Sequence, residues 1–433
     1  MKKITKLLAV VLAVLMLVTA FAGCHKKNEI AFTIGDSEFT SAMYSCSLYF
    51  AATAARNQIY TFVSDAEGDT KNIKYESYKF DAEGNVSKTG TISYEKYIRT
   101  EAVNQLKRFA ALDAIFAEGK LTVDDNTKTT NEYNALSYWN YGCDYNTYAQ
   151  YAQSGQVDSL AYSYMPDYYL LEQNGVSVET YKKYYFYDAM YSFYFEHLYG
   201  EKGEKAIAKD DINKYMTETY AIGNVITFSK KDSDSKDLSD AKLKEIKAIA
   251  DGYAERLNKG EDFEAIYKEE NKRVEEANKT TSSSVTTSTL PNNSTNSSTT
   301  SSTASSTTSS ATSSTTTSSE AEKEYTPAEY TGIFGKEDTA YEHAMFSEII
   351  KQDIGKAVVL DDTKNSQYLL IVRLDMLEEE YWYKNLRTSI SYDLKQEEFD
   401  KGLDDKGAAL KLTEDTFATK PFTVKKLKLE VEE

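Results

Sequence analysis

Three histidines and three cysteines are all that this 433-residue chain offers to soft-metal or disulfide chemistry, too few for a Cys-rich zinc module or a dense disulfide framework. His197 lies among Tyr194, Phe195 and Tyr199 in a stretch of helical pattern, where a packed or half-exposed ring is expected rather than a base. His343, between Tyr341 and Phe346, is expected to be solvated. Cys46 is flanked by Ser45 and Ser47, and Cys143 by Gly142 and Asp144. In an oxidising compartment these two thiols are either bridged or free, depending on a Cα separation that sequence does not give. Asp232, Asp234 and Asp237 invite a calcium loop, but the Gly and terminal Glu of EF-hand spacing are missing, which leaves a charged, flexible loop as the simpler expectation. No G-x-S-x-G, phosphate-binding Gly loop or H-E-x-x-H run occurs. No cofactor and no metal are expected.

Composition narrows the partners further. Lys and Arg number 50 against 68 Asp and Glu, a net charge of −18, whereas nucleic-acid binding needs a clustered positive face that releases counterions. Nucleic acid is therefore not an expected partner. The unusual quantity is 35 Tyr, which brings aromatics to 13%. Tyr141, Tyr145, Tyr148 and Tyr151, and again Tyr181, Tyr184, Tyr185, Tyr191 and Tyr194, recur at spacings that place several on one helical face. Two readings stand: a client-holding aromatic groove with polar tips, or a core in which Tyr replaces Phe and Leu.

At the amino terminus Lys2, Lys3 and Lys6 precede an apolar run over 7–18, which reads as a secretory signal rather than a membrane span. Ala22-Gly23-Cys24 resembles the lipobox of bacterial lipoproteins, with Phe21 where Leu is usual. The resemblance implies a signal peptide over 1–23, lipidation of Cys24 and a short tether over 24–29. Several acyl chains, each methylene adding about 0.8 kcal/mol, would hold the protein on the extracytoplasmic face of the cell membrane. The alternative is an ordinary signal peptide followed by a chance Cys.

The elements that must position any site follow from periodicity and punctuation. A strand from residue 30, a Gly35-Asp36 turn and a helix over 42–62 open the chain. Alternation over 73–94 around Ala82-Glu83-Gly84-Asn85 predicts a β-hairpin. Residues 94–118 form the clearest amphipathic helix, with Gly119 as its C′ residue. Leu121-Thr122-Val123-Asp124-Asp125 restarts helix with a capping pattern, and further helices are predicted over 133–141, 144–154, 159–174, 177–199 and 210–220, then a strand over 221–228 and helices over 241–259 and 263–277. From Thr280 to Ser319, 32 of 40 residues are Ser or Thr and none is charged. Such a segment cannot offset an ordering cost of about 1 to 2 kcal/mol per residue, so 278–324 is expected to be a disordered loop. A helix over 340–351, a strand over 368–374, a helix over 377–400 and an alternating strand through Val424, Leu427, Leu429 and Val431 complete the chain.

The order of these elements carries a family resemblance. Ala221 to Phe228 resembles the first strand of parvulin (PpiC-type) peptidyl-prolyl isomerase domains. Leu257 to Ile266 is similar to their L-x-x-G-x-D-F-x-x-L helix junction, and Gly332-Ile333-Phe334-Gly335 to their G-x-F-G turn. Tyr341 to Phe346 is similar to the F-x-x-A-x-F helix, and Gln367 to Val372 to the last strand, G-Y-H-I-I-x-V. Ile30 to Tyr44 and Tyr97 to Asp125 resemble the opening segments of PrsA- and SurA-like extracytoplasmic foldases.

The resemblance implies an α+β fold: a mainly helical chaperone-like domain built from 30–209 and from a helix and strand in 376–433, with a parvulin-like α/β domain over 210–375 interrupted by the disordered loop. It implies unfolded or secreted polypeptides as partners. Active parvulins carry two facing His on the first and last strands, and here those positions read Asn224 and Leu369. The usual pocket Met is missing near Thr339, while Tyr341, Phe346 and Phe334 would keep an aromatic substrate wall. A foldase with a degenerate isomerase site is thus the leading expectation. An active isomerase and a non-catalytic surface lipoprotein binding a partner or wall component are the alternatives.

Overall fold

The computed structural model describes residues 29–66, 68, 70–232, 235–280, 325–336 and 340–430, with the side chains of 161–162, 278–280 and 340–344 outside that description. The signal, Cys24, Asp234, Val431 and nearly all of the Ser/Thr-rich loop lie outside the described residues. The fold is mixed α and β, dominated by helices, with small antiparallel sheets. Contacts divide it into two units: residues up to Leu198 together with those from Lys395, and those from Tyr199 to Leu394.

The first unit opens with a hairpin, β1 (Ile30–Ile34) and β2 (Ser37–Thr40), turning at Gly35 with φ +59°. The sequence leaves Ser37 to Phe39 as the exit of that turn, with helix entered near Thr40-Ser41, which is where the first helix starts. Ser37-Glu38-Phe39-Thr40 pairs with β1 instead, and Phe39 is buried. Helix α1 (Ser41–Ala66) buries Tyr44, Leu48, Ala52, Ala55, Ile59 and Val63, a run of three- and four-residue steps that draws one stripe to the core. Between it and α2 (Tyr94–Gly119), the expected hairpin is a three-stranded sheetlet, β3 (Lys79–Phe80), β4 (Val86–Ser87) and β5 (Ile92–Ser93), ordered β4-β3-β5. Its turn falls where sequence placed it, fixed by the Asp81 carboxylate accepting the Asn85 amide at 2.7 Å. The end of α2 differs from expectation by one residue. Gly119 is still helical, and Lys120 takes the left-handed cap at φ +50°, while the Leu121 amide bonds the Phe116 carbonyl at 2.9 Å.

Helices α3 (Asp125–Tyr141) and α4 (Tyr145–Gln153) start alike. Asp124 and Asp144 each accept the amide of a Thr three residues on, Thr127 and Thr147, at 2.9 Å. The helix predicted over 159–174 is two pieces, α5 (Val157–Ser163) and α6 (Tyr168–Leu171). Pro166 separates them, because it biases Met165 out of helical conformation and brings no amide of its own. Helix α7 (Val178–Tyr199) follows.

The long helix α12 runs over Glu380–Ala409, starting three residues later and ending nine later than predicted; its residues from Lys395 belong to the first unit. Next come β10 (Leu412–Glu414), which pairs antiparallel with β1 with Ile34 opposite Leu412, and the short α13 (Thr416–Thr419). The strand predicted at 424–431 does not form among the described residues. Val424–Lys426 is a 3₁₀ turn, and the extended backbone beyond it bonds a side chain rather than a ladder.

In the second unit, α8 (Lys209–Thr219), α9 (Asp240–Asn258), α10 (Phe263–Thr280) and α11 (Ala340–Ile349) surround a four-stranded antiparallel sheet. Its order is β7 (Thr331–Gly335), β6 (Tyr220–Ser229), β9 (Gln367–Arg373), β8 (Ala357–Asp362). Strand β8 is absent from the sequence prediction. Its Val358-Val359-Leu360 run is closed by Asp362, whose carboxylate accepts the Asn365 amide at 3.1 Å and so turns the chain into β9. Gly332-Ile333-Phe334-Gly335 lies within β7 and is a strand, not a turn. The Phe334 ring folds back over Gly332, where a Cβ would sit 2.9 Å from a ring carbon.

Candidate functional site

Side chains alternate across a strand, so pairing register decides which residues share a face. Ala221 and Val225 on β6, Phe334 on β7, and Leu369 and Ile371 on β9 point to one face, where Met345, Phe346 and Ile349 of α11 cover them. Ile226, Phe228, Tyr368 and Leu370 point to the other, against Ile246, Ala250 and Tyr253 of α9 and Phe263 and Ile266 of α10. Asn224 pairs across β9 with Val372, and Leu369 with Thr227. Asn224 therefore belongs to the second face and Leu369 to the first. The two positions that sequence reading took as facing replacements for a His pair do not face each other. A three-residue offset, read as equivalence, is an odd number, and odd offsets invert the face.

Each residue has ordinary work where it stands. The Thr331 hydroxyl donates to the Asn224 side-chain oxygen at 2.7 Å, a cross-strand polar pair that satisfies a half-buried amide. Leu369 is 1% exposed and shares its apolar layer with Phe334 and Phe346. Those two predicted wall residues are thus brought together, but as packing partners of a filled layer. Val225, Ile371 and Ile349, which sequence reading did not single out, supply the rest. The side chains of Tyr341 and His343 lie outside the described residues. Thr339 does too, although Met345 places a thioether in the same layer.

Other chemistry thins out in the same way. His197 is exposed, with Phe193 and Tyr194 beside it at 6.4 and 6.3 Å between ring centroids. Cys46 and Cys143 are free and buried, and burial pushes the Cys46 thiol well above its usual value. Asp232 accepts the Lys236 amide at 2.9 Å inside the loop that joins Lys231 to Asp237, and no metal-holding cluster occurs among the described residues.

The tyrosines divide by helix. On α7, Tyr181 and Tyr187 are buried; Tyr184 and Tyr185 are half-buried against Cys46, Tyr49, Trp139 and Leu171; Tyr191 and Tyr194 lean on Phe399. This stripe is core. Its hydroxyls find carboxylates: Tyr181 donates to Asp167 at 2.6 Å, Tyr187 to Asp113 at 3.0 Å and Tyr191 to Asp400 at 2.8 Å. Sequence offered no signal for these pairs, since the partners are 14 to 209 residues apart.

On α3 and α4 the opposite holds. Tyr133 is 53% and Tyr145 45% exposed, their rings stacked at 5.5 Å, and Tyr141 stacks on half-exposed Tyr148 at 4.3 Å. The Pro166 break adds a second set: Tyr164, Met165 at 49% and Tyr169 at 48%. The two sets adjoin. Gly142, the left-handed cap of α3, presses so closely on the Met165 carbonyl that a Cβ there would lie 2.3 Å from its oxygen, and the Asp167 amide bonds the Tyr138 carbonyl at 3.2 Å. Exposed Tyr and Met in this density make an adaptable apolar surface, polar at its tips and rigidified by ring stacking. Tyr133, Met165 and Tyr169 were not picked out from sequence; Pro166 beside Met165 was the signal that could have exposed them.

Comparison with known proteins adds little to this geometry. No protein-family model matches the chain, and no curated protein does. Among solved structures, foldase protein PrsA from Streptococcus pneumoniae str. Canada MDR_19A is similar over 78% of this chain and 98% of that one. Identity is 14% and the TM-score 0.33, a loose likeness that carries no argument about activity.

Proposed function

We propose that the chain is a foldase-like chaperone that holds unfolded secreted polypeptides on the aromatic surface of α3, α4 and the Pro166 loop. The observation that carries this reading is the clustering of exposed Tyr133, Tyr145, Tyr164, Met165 and Tyr169 within 37 residues of chain, whereas Tyr60 and Phe417, the other exposed aromatics described in this unit, lie far from that stretch in sequence. Non-directional apolar burial suits clients of many sequences, and the hydroxyl tips keep the free surface wetted. Proline isomerisation is not part of the proposal. It would need an open pocket with placed donors, whereas the described side chains clustered with Leu369, Phe334 and Phe346 are aliphatic and aromatic, with the Met345 thioether, and buried. The reading includes lipidation of Cys24, which would place the protein on the extracytoplasmic face of the membrane.

Equimolar protein lacking residues 1–23 is expected to suppress aggregation of a chemically denatured client. The combined Tyr133→Ser, Tyr145→Ser and Tyr169→Ser variant is expected to lose more than half of that suppression without a change in circular dichroism. Absence of suppression by the unmutated protein defeats the proposal. Capture of one stoichiometric partner, with no effect on denatured clients, would return the partner-binding alternative. For the anchor, Cys24→Ser should move the protein from the membrane fraction to the soluble one.

A further inference from the structure

The last described residues of the chain are held in an unusual manner. Leu427 is extended, with φ −64° and ψ 134°, and both the amide and the carbonyl of Lys428 after it are bonded by one side chain: Asn174 accepts the amide at 2.9 Å and donates to the carbonyl at 2.8 Å. This is the pair of bonds that a neighbouring strand would supply. Asn174 is itself 7% exposed and fixed by donating to the Leu170 carbonyl at 2.9 Å. It reads backbone only, so any residue except proline satisfies it.

Around this clamp the contacts alternate. Leu429 packs on the apolar cluster of Tyr49, Trp139, Leu170 and Tyr181. Glu430 meets the guanidinium of Arg56, which stacks on Tyr75 at 4.2 Å, and Lys425 pairs with Glu95 at 3.1 Å. A cavity of about 390 Å³ is left beside the segment, lined by Arg56, Tyr75 and Tyr94 on one side and by Val424, Leu427 and Leu429 on the other. No residue from 421 to 430 is buried. Solvent thus reaches the whole segment, the part of a structure that opens most readily, and tethering adds a high effective concentration to its contacts.

We infer that Asn174, Arg56 and the Tyr49–Trp139 cluster form a binding site for an extended polypeptide segment, and that residues 423–430 are its built-in occupant. The ligand class is read from the seat: an extended stretch with an apolar side chain followed by an acidic one, taken from an unfolded client and displacing the tail. This rests on the proposed chaperone reading for the identity of the partner, although the site itself does not.

The test uses a fluorescent peptide with the sequence of residues 423–430, titrated by anisotropy into three proteins: full-length, a chain ending at Thr423, and full-length Leu429→Ser/Glu430→Lys, which loosens the tail without shortening it. Both altered proteins are expected to bind the peptide at least tenfold tighter than the full-length protein, and Asn174→Ala added to either should abolish the gain. If the shortened chain does not fold, the double variant alone decides. Equal binding by all folded proteins, or none by the loosened ones, overturns the inference. Peptide binding without suppression of client aggregation would leave the site standing and remove the chaperone reading; suppression without peptide binding would do the reverse.

Discussion

The carboxylates behind the aromatic core of the first unit set a pH dependence. Burial pushes Asp167 up to about 6, against the lowering effect of the Tyr181 hydroxyl, and pushes Asp188 up to about 7. An aspartate whose folded value lies above its unfolded one binds its proton more tightly when folded. Its contribution is therefore fully present below about pH 4 and is lost as pH rises toward 6 and 7. Asp188 is half-buried as a residue, which discounts the effect to about 1–2 kcal/mol. Asp188→Asn should raise the melting temperature by about 2–5 °C at pH 8 and leave it unchanged near pH 4, in paired thermal melts. Equal shifts at both pH values would mean that packing, not ionisation, had been altered.

At the scale of elements, helices were legible because their apolar stripes and caps are local. The Asp124 and Asp144 caps and the stripe of α1 could be read directly from spacing. What escaped was whatever depends on pairing. Strand β2 looked like a turn exit because Ser37-Glu38-Phe39-Thr40 is polar on one side, and only its ladder to β1 makes it a strand. Strand β8 is overshadowed in the sequence by the stronger β9, and the Val424–Val431 alternation mimics a strand although the neighbour it finds is a single Asn. The same blindness misassigned Asn224 and Leu369, since a motif match fixes strand identity but not the face each residue occupies. Restoring the expected histidines makes this concrete. Leu369→His buries an imidazole among Phe334, Phe346 and Ile371 and should cost about 2–4 kcal/mol in urea unfolding. The double Asn224→His/Leu369→His protein should not accelerate isomerisation of an X-Pro peptide in a protease-coupled assay, because its two rings would lie on opposite faces of the sheet. Acceleration by that variant would show that the sheet re-registers and that the filled layer can open.

At the scale of the whole molecule, the net charge of −18 is a self-repulsion that opposes compactness. Ion pairs offset part of it, among them the Arg108–Asp404 fork and the contact of Arg99 Nη2 with both oxygens of Glu414, but these are half-exposed and individually weak. Raising sodium chloride from 20 to 300 mM shortens the screening length several-fold and should lift the melting temperature by about 2–5 °C. A fall instead would mean that the ion pairs outweigh the repulsion. One pairing bears on time rather than energy. Strand β1 begins at Ile30, yet one of its two neighbours, β10, begins at Leu412. A chain emerging amino terminus first exposes Phe32 and Ile34 hundreds of residues before their sheet can close, and loop closure over such a span is slow. Until β10 has been made, this protein has an unfinished edge of the kind that invites aggregation, so during its own birth it belongs among the clients that a holding surface would serve.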